Sequence, residues 1–294
     1  MKIIDILNKR EMSLSFEVFP PKKESSFETV EATTEEIAAC HPAFMSVTYG
    51  AGGGTSKYTM EIAKNIMDKY NVPTLAHLTC VSSSREAVHE KIEQMKQLGI
   101  KNVMALRGDL TPELEKTDPS TWDYKHATEL VRELKEMGDF CVGAACYPEV
   151  HPDSVNQKDD LTHIKEKVEA GAEFLTTQMV FDNNLFYNFM YKIREIGVTV
   201  PVIPGIMPIT NANQISRMID LSNAYIPRKL LAICDRFRDS PEAMMQAGIA
   251  YATDQIIDLI SNGIRGIHIY TMNKPEIARA IISNVNDIIE AINK

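Results

Sequence analysis

Eight times along the chain an apolar run of strand character ends in a polar or glycine cluster, and a stretch of helical periodicity follows. The runs fall at 14–21, 43–50, 74–79, 102–109, 141–149, 174–182, 201–208 and 266–273. Eight strand–helix units are the number that closes a parallel barrel. In such a barrel the chemistry gathers at the carboxyl ends of the strands. Glu17, Thr48, His77, Arg107, Asp109, Tyr147 and Gln178 all fall there.

The helices carry their own punctuation. Ser83 and Glu86 are spaced as a capping box; Val88, Ile92, Met95 and Leu98 follow at helical spacing, and Gly99 is the stop. Similar stripes run from Ala127 to Met137 before Gly138, from Leu161 to Val168 before Gly171, and from Phe186 to Ile196 before Gly197. Pro241 opens a helix that continues through Ile260, at a position where the missing N–H costs nothing. Ile277, Ile281, Val285 and Ile288 form the last stripe.

Two stretches exceed a minimal barrel. Residues 110–124 are long, polar and carry Pro112 and Pro119, as an active-site rim or lid does; a tolerated surface insertion has the same look. Residues 209–262 hold more helix than one unit needs. The expectation is therefore an α/β fold, a (β/α)8 TIM barrel in one domain over residues 1–294, with an extra helix between strands 7 and 8. A doubly wound open sheet competes, but its glycine-rich turn follows the first strand. Here Gly50, Gly52, Gly53 and Gly54 follow the second and lack the GxGxxG spacing.

Composition narrows the class. With 44% hydrophobic and 24% charged residues, the 294-residue chain has the make-up of a globular protein with a large core. A net charge of −9 disfavours nucleic acid or an anionic membrane as partner, though it leaves room for a local basic pocket. Asp5 and Asn8 interrupt the apolar N-terminus, which does not read as a signal peptide, and no run approaches the ~20 apolar residues of a membrane span. Five scattered cysteines without a CxxC pair point to buried thiols in a cytoplasm, with no disulfide framework and no zinc or other metal site.

Among the candidate residues, Glu17 alternates with Phe16 and Val18, so its carboxylate should face the barrel interior or mouth. Desolvation there favours the neutral form, which suits a general acid; a buried glutamate paired with a basic residue is the other reading. Arg107, Gly108 and Asp109 place a permanent cation, a glycine permitting close approach, and an acid at one strand end. Arg107 suits a phosphate or a flavin carbonyl and Asp109 a ring N–H or a cationic intermediate, unless the two merely pair and hold the loop. His77 has the choice of cofactor contact or satisfied core histidine. Tyr147 and His151 flank a rigid proline turn, where one could stack on a ring and the other reach a phosphate. Asp160, His163 and Lys167 share a helix face at i, i+3 and i+7. Gln178 offers an uncharged amide suited to a heteroaromatic edge. No Ser–His–Asp, HExxH or P-loop pattern is present, which argues for an organic cofactor supplying the reactivity.

Taken in order, Ser15–Pro21, Val47–Gly53, Ala76–Cys80, Ala105–Asp109, Ala145–Pro152, Thr177–Gln178, Ile203–Pro208 and Ile269–Asn273 resemble the 5,10-methylenetetrahydrofolate reductase family, end to end. The length resembles its short bacterial form. The resemblance implies non-covalent FAD at the strand carboxyl ends and ping-pong reduction of 5,10-methylenetetrahydrofolate to 5-methyltetrahydrofolate, with NADH or NADPH as electron source. It makes Glu17 the general acid toward folate N5, Asp109 a contact of the pterin close to the flavin, and Gln178 a contact of folate and nicotinamide. Thr48, Tyr49, Ala51, His77, Arg107, Gly108, Asp109, Ala127, Tyr147, His151, Asp160, His163 and Lys167 match FAD-contacting positions. Gln214, Met218 and Lys274 match substrate-contacting ones. Three residues depart from the family pattern: Met218 stands where some bacterial members have phenylalanine, Glu166 replaces a basic residue, and His163 replaces an asparagine. They bear on the electron donor and on the grip on the phosphates. A cytoplasmic homo-oligomer is expected.

A second class of function is a barrel that works as one subunit of a complex, reduced by a ferredoxin or an iron–sulfur partner protein. Without a cysteine cluster this chain could not hold the cluster itself. Flavin absorbance together with NADH oxidation by the chain alone would separate the two.

Overall fold

The computed structural model describes residues 1–9, 11–21, 27–49, 56–222 and 224–294. Eight parallel strands close into a barrel in the order β1 to β8, each paired with its neighbours in sequence and β1 with β8. The strands are β1 (Ser13–Val18), β2 (Phe44–Val47), β3 (Thr74–Thr79), β4 (Asn102–Leu106), β5 (Cys141–Cys146), β6 (Phe174–Met179), β7 (Val202–Ile206) and β8 (Gly266–Tyr270). A short helix α1 (Ile3–Leu7) precedes them; α2 (Phe27–Ala38), α3 (Ser56–Tyr70), α4 (Arg85–Gln97), α5 (Ala127–Met137), α6 (Gln157–Glu169) and α7 (Asn183–Glu195) follow the first six strands in turn. Among the described residues no helix is long and apolar enough to cross a membrane.

Side-chain alternation divides each strand between two environments. Phe16 and Val18, Met45 and Val47, Ala76 and Leu78, and Ile267 and Ile269 belong to the core between strands and helices, with Ile92, Leu130, Phe186 and Ile281 from the helices. The opposite positions fill the barrel, apolar at its amino end. There Phe44, Leu75, Met104, Cys141, Phe174 and Ile203 cluster with Ile3 of α1, which closes that end; the Ile3 N–H donates to Asn102 Oδ1 at 2.8 Å. Toward the carboxyl end the interior turns polar, with Ser15, Ser46, His77, Thr176 and His268 all buried. The apolar residues of α1 thus plug that end of the barrel.

Two local readings shift. The N-cap of α4 is Ser84, whose side chain accepts from the Ala87 N–H at 3.3 Å, so the cap sits one residue beyond Ser83. Between β7 and β8 lie three helices, α8 (Gln214–Ser222), α9 (Arg228–Phe237) and α10 (Pro241–Ser261), where a single extra helix was expected beside the regular one. A second apolar cluster holds this excursion together, with Phe181, Met207, Ile209, Ile215, Met218, Leu230 and Met244 at its centre. The last helix, α11 (Pro275–Ile292), begins just after β8 and packs on α10 and α2.

Candidate active site

The carboxyl ends of the strands surround a cavity of about 540 Å³. Its wall includes Glu17, Thr48, Tyr49, His77, Arg107, Gly108, Asp109, Ala127, Tyr147, His151, Asp160, His163, Lys167 and Gln178, residues that the sequence nominated separately. Ala51 and the glycine cluster around it lie outside the described residues. Gln214, Met218 and Lys274 are not on this wall. Gln214 Oε1 accepts from the Thr210 and Asn211 N–H groups at 3.1 and 3.0 Å, closing the start of α8. Met218 is buried in the α8–α10 cluster, and Lys274 Nζ donates to Thr210 Oγ1 at 3.1 Å. The rim segment 110–124 folds into two turns of 3₁₀ helix beyond Asp109 and supplies no wall residue; it is anchored by fully buried Tyr124, whose hydroxyl donates to Glu133 Oε2 at 2.5 Å.

Glu17 stands on β1 opposite Ser46 of β2 and Tyr270 of β8. Its side chain is only 18% exposed, and Oε2 lies 3.4 Å from Ser46 Oγ, 3.8 Å from His77 Nε2 and 3.9 Å from His268 Nε2. Burial pushes the His77 imidazole down to about 4, against the pull of Glu17, so it is neutral at physiological pH. Its Nε2 finds no hydrogen-bond partner, and neither does Thr176 Oγ1; both residues face the cavity.

Asp109 differs from Glu17 in depth. It is exposed, at the outer edge of the same wall. Gly108 holds it there in a backbone conformation with φ of +84°, and a Cβ on residue 108 would come within 2.8 Å of Thr79 Cβ. Arg107 does not pair with Asp109: its guanidinium bonds Asp153, tying the end of β4 to the loop after β5.

The loop after β5 is strained. Val150 adopts φ of +78°, a conformation that β-branched residues rarely enter. The turn sends Glu149 away from the cavity, where its Oε1 accepts the Tyr225 N–H at 2.9 Å and burial raises its carboxyl to about 7. It leaves Tyr147 and His151 edge to face, with ring centres 4.5 Å apart. The Asp153 N–H donates to His151 Nδ1 at 3.0 Å, so the neutral ring carries its hydrogen on Nε2 as a free donor. Burial favours that neutral ring.

On α6, Asp160, His163 and Lys167 do share one cavity wall. Burial raises Asp160, opposed by Lys167, and lowers Lys167, opposed in part by Asp160; Lys167 Nζ also donates to the Ala145 carbonyl at 2.6 Å. His163 stacks on His126 at 4.8 Å between ring centres, and His126 is a wall residue that sequence reasoning passed over. Gln178 owes its position to an irregularity of β6, whose register against β7 shifts between Thr176 and Met179. Thr177 Oγ1 takes the Gly205 N–H at 2.9 Å, and the Tyr270 hydroxyl donates to the Thr177 carbonyl at 2.8 Å. His268 and Tyr270 also line the cavity; their signal was the alternation of Gly266, His268 and Tyr270 on one side of β8. Among the described residues no group of three or more His, Cys, Asp or Glu could hold a metal ion.

Known proteins share this fold and, in part, this sequence. The barrel superposes on an uncharacterized protein from Clostridium thermocellum that binds two copies of 5-methyl-5,6,7,8-tetrahydrofolic acid, with a TM-score of 0.64 and coverage of 99% of this chain and 100% of that one. At 15% identity, that likeness is one of fold. Over 301 residues the chain is 35% identical to methylenetetrahydrofolate reductase (NADH) 1 of Zea mays, covering 99% of this chain and 51% of the relative. It therefore spans about half the length of the plant relative. With 5,10-methylenetetrahydrofolate reductase of Escherichia coli (strain K12) it shares 34% identity over 271 residues, 92% of this chain and 90% of the other. The family description of methylenetetrahydrofolate reductase matches residues 2–286, and to that family the chain belongs.

Proposed function

We propose that the chain reduces 5,10-methylenetetrahydrofolate to 5-methyltetrahydrofolate with FAD as resident cofactor and a nicotinamide nucleotide as electron source, the two substrates using the site in turn. The observation that carries this reading is that, of the carboxyl groups lining the cavity, Glu17 lies sheltered at depth and Asp109 exposed at the rim, beside a wall rich in histidines and carrying Arg107 and Lys167. The names of plant relatives specify NADH, which makes NADH the first donor to test.

The residues present fit FAD. His77 Nε2 and Thr176 Oγ1 are buried polar atoms on the cavity wall without partners, as expected where a bound molecule completes the hydrogen bonding. Arg107, Lys167 and the Nε2–H of His151 would hold phosphates, and Tyr147 would pack against a ring. When bound, the flavin supplies hydride acceptance and donation, which no side chain offers.

The chain's own residues supply the rest. Glu17 delivers a proton to folate N10 and not to N5, because the product keeps the bridging carbon on N5; the N10–carbon bond breaks and the five-membered ring opens to an iminium cation at N5. Asp109 balances that charge from the rim, and Gln178 reads the edge of the heterocycle through its amide. Tyr270 and Thr177 lock the backbone that presents Gln178.

FAD should copurify with the protein and be released by denaturation, since the proposed contacts are non-covalent. A folded, colourless preparation that gains no activity on addition of FAD would count heavily against the proposal. Asp109→Asn should slow folate reduction about tenfold. That is less than the ~10²–10³ lost with a buried electrostatic partner, because water screens an exposed carboxylate. The same variant should raise the flavin midpoint potential, since a neutral amide penalises the reduced, anionic ring less than a carboxylate does. Potentiometric titration of both proteins checks this; an unchanged or lower midpoint would remove Asp109 from the flavin's neighbourhood.

A further inference from the structure

Beneath Glu17 runs a string of hydrogen bonds that crosses the barrel interior from β8 to β1 and β2. Ser15 Oγ lies 3.2 Å from the Ile267 carbonyl oxygen and 2.8 Å from His268 Nδ1. On the other side of the ring, His268 Nε2 is 3.0 Å from Ser46 Oγ, which in turn is 3.4 Å from Glu17 Oε2. Ser15, Ser46 and His268 are at most 2% exposed, so water offers them no substitute partners.

Hydrogen counting gives this string a direction. A carbonyl oxygen only accepts, so Ser15 gives its single hydroxyl hydrogen to Ile267 and must accept from His268. Nδ1 therefore carries the hydrogen, and in the neutral ring Nε2 is bare. A bare Nε2 accepts the hydrogen of Ser46. With a carboxylate at Glu17, Ser46 would instead donate to it at 3.4 Å and leave Nε2 without that hydrogen; with the Ser46 hydrogen on Nε2, the contact is a hydrogen bond only if Glu17 is the donor. The two bonds of Ser46 thus need one hydrogen beyond its own, and with Nε2 bare that hydrogen comes from Glu17, on the side away from the cavity. The other groups facing Glu17 do not reverse this: His77 is neutral, and burial keeps the Tyr270 phenol protonated.

We propose that His268 is a positioning residue whose tautomer, set by Ser15, turns the Ser46 hydroxyl so that Glu17 holds a proton ready for delivery. This rests on Glu17 as the acid of the reaction proposed above, yet the tautomer and the proton can be read on the resting protein. In protein labelled with ¹⁵N-histidine, His268 should show a protonated Nδ1 and a bare Nε2 near neutral pH. Infrared spectra should show a protonated carboxyl band that disappears in Glu17→Gln. Ser15→Ala frees the tautomer and Ser46→Ala cuts the string. Each should shrink the carboxyl band and move the alkaline limb of the folate half-reaction down by about one pH unit, the preference one hydrogen bond confers on one protonation state. Ser46→Thr, which keeps the hydroxyl, should restore both.

A hydrogen on Nε2 of His268 in the parent protein, or an alkaline limb unmoved in both alanine variants, would overturn the inference while leaving the proposed reaction intact. Full folate reduction by Glu17→Gln would instead overturn the reaction, whatever the tautomer of His268.

Discussion

Glu17→Gln is expected to leave reduction of the flavin by NADH nearly unchanged and to slow reduction of methylenetetrahydrofolate by roughly 10²–10⁴-fold, the usual contribution of a general acid. The two halves of the cycle make different demands on the chain. Hydride transfer from a nicotinamide to a flavin requires no proton at the place where Glu17 stands. Opening the folate ring does, because N10 leaves the bridging carbon only as it gains a proton, while that carbon stays on N5. Glutamine keeps the size of the side chain and can still reach Ser46, so the string beneath it and the barrel should survive. Stopped-flow absorbance at the flavin band measures each half separately. Equal loss in both would mean that Glu17 is a structural carboxylate and that the proton comes from elsewhere.

What the sequence made legible follows the range of the forces involved. The eight strands were visible because each is a local apolar run with a sharp polar end, and residues at those ends had to meet once the barrel closed. Thus Arg107, Tyr147, Asp160 and Gln178 reach one cavity although they lie on different strands and helices. Partner assignments were another matter. Arg107 has Asp109 two residues away, but its actual partner is Asp153, across the gap between two loops. Ser15 carries no local signal of a role. Its meaning depends on the register of β1 against β8, which joins residues 253 apart in sequence.

The same limit explains α8 and α9. A surplus of helix between β7 and β8 could be read from periodicity, but dividing it into separate helices requires knowing which apolar faces meet. Met218 shows the consequence: a position matched to substrate contact is buried in the cluster that those helices form. Gln214 and Lys274 likewise converge on Thr210, one as acceptor from its N–H and the other as donor to its hydroxyl.

That convergence makes Gly248→Ala a severe test of how the excursion is mounted. Gly248 lies inside α10, where alanine is intrinsically favoured by about 1 kcal/mol, so helix propensity alone predicts a more stable protein. The packing predicts the reverse. A Cβ at position 248 would fall 1.8 Å from the Ile209 carbonyl oxygen and 2.7 Å from its carbon. Those atoms belong to the backbone just after β7, so relief requires moving either the helix or the strand end. The expected result is a loss of about 3 kcal/mol or more, the range of severe overpacking. Because Ile209 adjoins Thr210, the displacement should also reach Gln214 and Lys274; where these touch folate, as the family resemblance implies, the KM for folate should rise more than the FAD content falls. Thermal unfolding of both proteins, with steady-state kinetics at a temperature where both are folded, reads the two effects. A melting temperature at or above that of the parent would show that α10 slides off β7 without cost, and that the close approach at Gly248 is not what holds the helix there.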